Sequence, residues 1–87
     1  MKLIKFKQDN CTPCKMLEDT LERIGGKVDE TVNLTTGTSE DFVFAGKYNI
    51  MKTPVLLLLD NEGNQIARVD GVGQTKVMAI LEQRYGK

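Results

Sequence analysis

The polarity of the chain changes period several times, and each change marks an element. Residues 2–7 (Lys-Leu-Ile-Lys-Phe-Lys) alternate, which predicts a strand with Ile4 and Phe6 on one face and Leu3, Lys5 and Lys7 on the other. Gln8 to Asn10 are turn formers. From Thr12 to Ile24 the period lengthens to that of a helix. Leu17, Thr20, Leu21 and Ile24 make the stripe to be buried, and Glu18, Asp19, Glu22 and Arg23 lie on the other side. Pro13 suits the first helical turn, where its missing N–H would be unpaired anyway, and Gly25-Gly26 stops the helix. Val28, Val32 and Leu34 predict a second strand over 27–34, followed by a loop at 35–37.

Thr38 with Asp41 caps a second helix running to about Tyr48. Phe42, Val43 and Ala45 are expected to pack it down, with Asn49 as its C-cap. Five consecutive aliphatic residues, Val55 to Leu59, predict a strand covered on both faces. A hairpin turn at 60–63 leads to a returning strand over 65–70. Gly71-Val72-Gly73 breaks it before a last helix over 74–85, with Val77, Met78, Leu81 and Tyr85 on one face.

The predicted order is β-α-β-α-β-β-α, an α/β fold with a four-stranded mixed sheet and helices on both faces. The helical link between the first two strands implies a parallel pair. At 87 residues the chain makes one domain, 1–87, with a modest core.

Charge narrows the function. Twelve basic and twelve acidic residues cancel without a block of either sign, so neither nucleic acid nor an anionic membrane surface is an expected partner. The longest apolar run is far too short to span a bilayer, and the first residues contain no extended apolar stretch of the kind a signal peptide needs. A cytoplasmic monomer is expected. Histidine is absent, which removes the Ser-His-Asp and Cys-His nucleophilic classes.

The chemistry that remains is sulfur chemistry. The only two cysteines are Cys11 and Cys14, in Cys11-Thr12-Pro13-Cys14, at the predicted strand-to-helix turn. Two thiols at this spacing can close a disulfide and reopen it. The thiolate is the attacking species, and a helix N-terminus stabilises negative charge. Cys11 sits at that end and is assigned as nucleophile; Cys14, one turn in, is the resolving sulfur. Pro13 stiffens the turn and Lys15 adds nearby positive charge. A metal site would need further ligands that the cysteines do not supply, so neither a metal nor another cofactor is expected. Thr53-Pro54 stands directly before the aliphatic strand, where a proline removes a ladder donor. Either a cis bond exposes the Thr53 backbone to pair with an extended peptide, or a trans proline simply opens the strand.

Together, Cys11-Thr12-Pro13-Cys14-Lys15, the segments 28–34 and 47–54, and Gly71-Val72 resemble the thioredoxin family over nearly the whole chain. The resemblance implies that Pro54 is cis and near the disulfide, and that Thr53, Gly71 and Val72, with Thr12 and Pro13, line a substrate groove. It implies a dithiol reductant of disulfide-containing client proteins, a ribonucleotide reductase being one candidate, recharged by an NADPH-dependent thioredoxin reductase. In length the chain looks more like a glutaredoxin or a glutaredoxin-like thioredoxin. A glutathione-linked glutaredoxin and a non-catalytic binding module are the competing readings. Three departures bear on tuning. Asn10 replaces the usual aromatic before the first cysteine, Thr-Pro separates the cysteines, and Lys5 stands where a buried acid is usual. Lys5 either lies buried and favours thiolate or sits on a solvated face beside Lys7. Asp9 is a candidate substitute acid.

Overall fold

The computed structural model describes residues 1–86. The elements follow in the order β1 (Lys2–Lys7), α1 (Thr12–Ile24), β2 (Glu30–Asn33), α2 (Ser39–Lys47), β3 (Val55–Leu59), β4 (Gln65–Asp70) and α3 (Gln74–Tyr85). This is the expected β-α-β-α-β-β-α order. The expected domain range ends at Lys87, which lies outside the described residues. The strands form one mixed sheet in the order β2-β1-β3-β4. β1 runs parallel to β2 and antiparallel to β3, with Phe6 opposite Val32 on one side and Val55 on the other. β3 and β4 form the hairpin.

Alternation along the central strands divides the core in two. Ile4, Phe6, Val55, Leu57 and Leu59 point to one face and pack with Val32, Ala45, Tyr48 and Ile50 under α2. Leu3, Leu56, Leu58 and Val69 point to the other and pack with Leu17 and Leu21 of α1 and Val77 and Ile80 of α3. All five β3 side chains are therefore buried, as five successive aliphatics demand. On the α2 side Phe6 stacks on Phe44 and Phe44 meets Tyr48 edge to face, with centroid separations of 5.9 and 5.3 Å.

The helix ends follow their sequence signals. Gly25 takes φ 70° and its N–H bonds to the α1 carbonyls, while Gly26 N–H reaches Leu21 O at 2.8 Å. Thr38 and Asp41 form a reciprocal capping box on α2. Tyr48, rather than Asn49, is the C-cap; Asn49 follows it at φ 56°.

Three further expectations need correction. β2 is four residues long, not eight, because Asp29 leaves the ladder: its carboxylate takes the Leu3 N–H while its own N–H bonds to Leu3 O. Phe42 and Val43 are exposed; α2 packs through Ala45, half-buried Phe44 and Tyr48 instead. On α3, Met78 and Tyr85 are exposed and Ile80 takes the buried place. Both helices are short and carry apolar residues around much of their circumference, so periodicity alone selected the wrong stripe.

Asp29 also ties β1 to the end of α3. Its carboxylate accepts from Leu3 N–H at 2.7 Å and from two guanidinium nitrogens of Arg84 at 2.8 and 3.0 Å. The Arg84 guanidinium first, and the Leu3 amide second, hold the Asp29 carboxyl below the ordinary aspartate value of 3.8. A carboxyl lowered on folding contributes stability above its unfolded pKa and loses it as pH falls through the folded one. Urea unfolding from pH 7 to pH 2.5 should show Asp29→Asn less stable than the parent at neutral pH. The difference should then shrink below about pH 4.

Candidate active site

β1 ends at Lys7, and Gln8-Asp9-Asn10 reverses the chain into α1. Asn10 takes φ 54°, a left-handed conformation that asparagine tolerates better than a bulky residue does. Cys11 is the N-cap of α1, with extended backbone, and its sulfur accepts the Cys14 N–H at 3.2 Å. The Lys15 N–H closes the first turn onto Cys11 O at 3.1 Å. The sulfurs of Cys11 and Cys14 are bonded, with their Cα atoms 5.2 Å apart. Cys14 is only 2 % exposed, whereas Cys11 is half-buried and Thr12, Pro13 and Lys15 are exposed. An incoming group therefore meets Cys11 first. The free amide that meets its sulfur also favours a thiolate there.

A second segment closes over Cys11. The Thr53-Pro54 bond is cis, as the resemblance implies. Thr53 Oγ1 lies 3.5 Å from Cys11 Sγ and Thr53 O lies at 4.0 Å. The Thr53 hydroxyl donates to Gln8 Oε1 at 3.0 Å, so Cys11 Sγ faces its lone pairs. On reduction the hydroxyl can rotate to donate to a Cys11 thiolate, or accept from the thiol. The third segment is anchored by Gly71, whose N–H donates to Pro54 O at 3.1 Å. Gly71 takes φ 107°, where a side chain would be strained. Val72 follows and packs partly into the core under α1 and α3. Thus Thr12, Pro13, Thr53, Pro54, Gly71 and Val72 belong to three segments that meet around the dithiol, and Met51, 87 % exposed, stands at their margin.

Lys5 lies mostly buried, as one of the two expectations for it had it, but with a carboxylate partner that neither included. Lys5 is not on a solvated face: α1 covers that side of β1, and the Lys5 side chain is 13 % exposed. Its ammonium bonds to Glu18 Oε2 at 3.3 Å, and Lys7 reaches the same oxygen at 3.0 Å. Glu18 is thereby half-buried between α1 and β1, not on the outer face of the helix. The Lys7 hydrogen bond is the largest cause holding the Glu18 carboxyl below its ordinary value, with Lys5 adding to it against the opposing effect of burial. Asp9 lines an open cavity beside the two cysteines, but its carboxylate accepts from Asn33 Nδ2 at 3.0 Å. Asn10 is exposed on the rim.

Gln8 and Glu18 are the site residues that sequence reasoning missed. Gln8 reads as an ordinary turn former. Glu18 had a signal: it stands four residues after Cys14, on the same helical face, opposite two lysines that share a strand face. Among the described residues no group of three or more His, Cys, Asp or Glu side chains is disposed to hold a metal ion, and no helix is long and apolar enough to cross a membrane.

A dithiol at a helix N-cap, one sulfur reachable and one enclosed, on a mixed sheet of this order is the site of a thiol–disulfide oxidoreductase. Comparison with known proteins agrees. The thioredoxin family model matches residues 1–83, and the chain belongs to the thioredoxin family. The SPbeta prophage-derived thioredoxin-like protein YosR of Bacillus subtilis is 32% identical over 83 residues, covering 95% of this chain and 98% of that protein. A thioredoxin of Staphylococcus epidermidis is 32% identical over 86 residues, covering 98% of this chain and 82% of that one. The solved Malassezia sympodialis thioredoxin superposes with a TM-score of 0.71 at 24% identity, over 93% of this chain and 71% of that one, a likeness of fold.

The contact between Thr53 and Cys11 generates a prediction. Thr53→Val keeps the β-branched shape and removes the hydroxyl. Alkylation of reduced Cys11 by iodoacetamide at pH 7 should slow by roughly tenfold or more, since a hydrogen bond to a charged group contributes about 1.5–3 kcal/mol. An unchanged rate would show that the hydroxyl stays with Gln8 in the reduced protein.

Proposed function

We propose that the chain is a dithiol reductant of protein disulfides, acting in the cytoplasm as a monomer and recharged by an NADPH-dependent thioredoxin reductase. The observation that carries this reading is the asymmetry of the two sulfurs. Cys11 is half-buried at the helix N-cap beside Thr53, and Cys14 is enclosed behind it.

The chemistry follows from that asymmetry. In the reduced protein the Cys11 thiolate attacks one sulfur of a client disulfide. A Cys11–client bond forms, and the other client sulfur leaves as thiolate and takes a proton. Cys14, as thiolate, then attacks Cys11 Sγ. The Cys11–Cys14 bond forms, the Cys11–client bond breaks, and the second client sulfur is released and protonated. Two electrons and two protons have passed to the client, and the protein is left oxidised. The oxidised pair is returned to dithiol by the reductase, which draws its electrons from NADPH.

The client is held by its main chain in this reading. Thr53 is half-buried beside Cys11, and in this reading an extended peptide pairs with its backbone. Thr12, Pro13, Gly71, Val72 and Met51 make the surrounding walls, which suits many sequences rather than one. Glutathione is the competing electron source, and the two families differ by only tens of millivolts, from about −270 to about −200 mV.

Two measurements test the reading. Cys14→Ser should accumulate a mixed disulfide with an insulin chain through Cys11, detectable by mass, and Cys11→Ser should form none at neutral pH. Oxidised protein should be reduced rapidly by NADPH with thioredoxin reductase and slowly by glutathione with its own reductase. Rapid turnover with glutathione alone would replace the proposed partner by the glutathione system. Trapping through Cys14 would reverse the assignment of the sulfurs.

A further inference from the structure

An open cavity of about 530 Å³ lies beside the dithiol, lined by Cys11, Cys14, Lys7, Asp9, Lys15 and Glu18 among others. It gives Cys14 a polar boundary on one side. Cys14 is itself only 2 % exposed, and the sheet face that α1 covers is otherwise packed with aliphatic side chains, among them Leu3 of β1, Leu56 and Leu58 of β3, and Val77 and Ile80 of α3. Cys14 has to lose a proton before it can attack Cys11, and a thiolate enclosed among aliphatic groups is disfavoured by desolvation. Something must offset that.

The charged groups bordering the cavity are few. Asp9 is bonded to Asn33 and Lys15 is exposed. Lys7 and Glu18 border the cavity directly, and Lys5 lies behind, joined to both through the shared Glu18 Oε2. Two ammonium groups on one carboxylate leave a net charge of +1. Glu18 stands one helical turn beyond Cys14 on the same face of α1, so the cluster shares the side of the helix that carries the enclosed sulfur, in a cavity that both sulfurs line.

We infer that Lys5 and Lys7, clamped by Glu18, are positioning residues for the second step of exchange: they stabilise the Cys14 thiolate that resolves the mixed disulfide. The inference rests on the proposed dithiol mechanism. In its terms the protein uses a cationic cluster, anchored through the helix, to make a resolving thiolate available at neutral pH. Loss of either ammonium lowers the local charge from +1 to zero and raises the pH at which Cys14 reacts. Glu18→Gln acts in the opposite sense. The glutamine oxygen can still accept from a lysine, so an anchor remains, while the local charge rises from +1 to +2.

The two steps can be read separately with 5,5′-dithiobis(2-nitrobenzoate). Mixed with the reduced protein in a stopped-flow instrument, it releases one equivalent of coloured thiolate when Cys11 attacks. A second equivalent follows when Cys14 resolves the adduct. Lys5→Met and Lys7→Met should each slow the second release by about tenfold at pH 7 and move its pH midpoint upward. Lys7→Arg, which keeps the charge, should restore the parental midpoint. Glu18→Gln should move the midpoint downward. Lys76→Met, on the exposed surface of α3, should leave both phases unchanged.

A merely structural cluster would give a different pattern. Lys→Met and Glu18→Gln would then lower the urea midpoint alike and leave the pH midpoint of the second release in place, and that result would overturn the inference. So would a shift of the same sign in all three variants. If the parent protein releases no second equivalent, the dithiol mechanism itself fails, an outcome distinct from either of these.

Discussion

Everything at the dithiol depends on the turn that delivers the chain from the end of β1 into the N-terminus of α1. That turn places Cys11 at the one point of the helix where free amides face outward and the helix dipole is positive. It also sends Cys14 inward, because a residue three positions later along a helix that packs through Leu17 and Leu21 shares its buried side. The two sulfurs differ in exposure for this reason alone. Their different chemistry is a consequence of helix geometry applied to a pair of identical side chains.

What keeps the turn in place is apolar burial. β1 and β3 are covered on both faces, and Leu3, Ile4, Phe6, Leu17 and all of β3 are almost wholly buried. Full burial of such a side chain contributes about 1.5–3 kcal/mol, whereas a partly exposed ion pair contributes roughly 0–1 kcal/mol. The comparison separates two kinds of residue near the site. The aliphatics hold α1 on the sheet. The Lys5–Glu18–Lys7 cluster is too weak an element to be needed for that, yet it occupies the polar border of the cavity beside Cys14. Its placement is better accounted for by the charge it presents than by the stability it adds.

The family resemblance and the local chemistry meet at Lys5. Where an acid is usual, this chain has a base, and the carboxylate comes instead from α1 through Glu18. Opposite charges meet beside the dithiol, and the net charge of the cluster is positive because Lys7 joins the same oxygen. Asp9 accepts a hydrogen bond from Asn33, the last residue of β2, while lining the cavity beside the dithiol. The inferred tuning of the resolving sulfur rests on a helix–strand contact that joins residues 5, 7 and 18.

Several things could be read from the chain directly. Alternation in residues 2–7, the helical stripe of α1 and five aliphatics in β3 set the order of elements, because each pattern has one packing that buries it. Cys11-Thr12-Pro13-Cys14 at a strand–helix boundary assigned the chemistry, since the two local signals that place it, the end of alternation and Pro13, are independent of distant contacts. Other features waited on the tertiary structure. Which stripe of α2 and α3 is buried was ambiguous, as Phe42, Val43, Met78 and Tyr85 show, because short helices with apolar residues on several sides are oriented by what they meet. The pairing of Asp29 with Arg84, 55 residues away, was equally out of reach of any local pattern. Above all, whether Lys5 met water or a carboxylate was undecidable from β1 alone. A strand's alternation tells which residues share a face, but only the helix laid across that face decides what environment the face becomes.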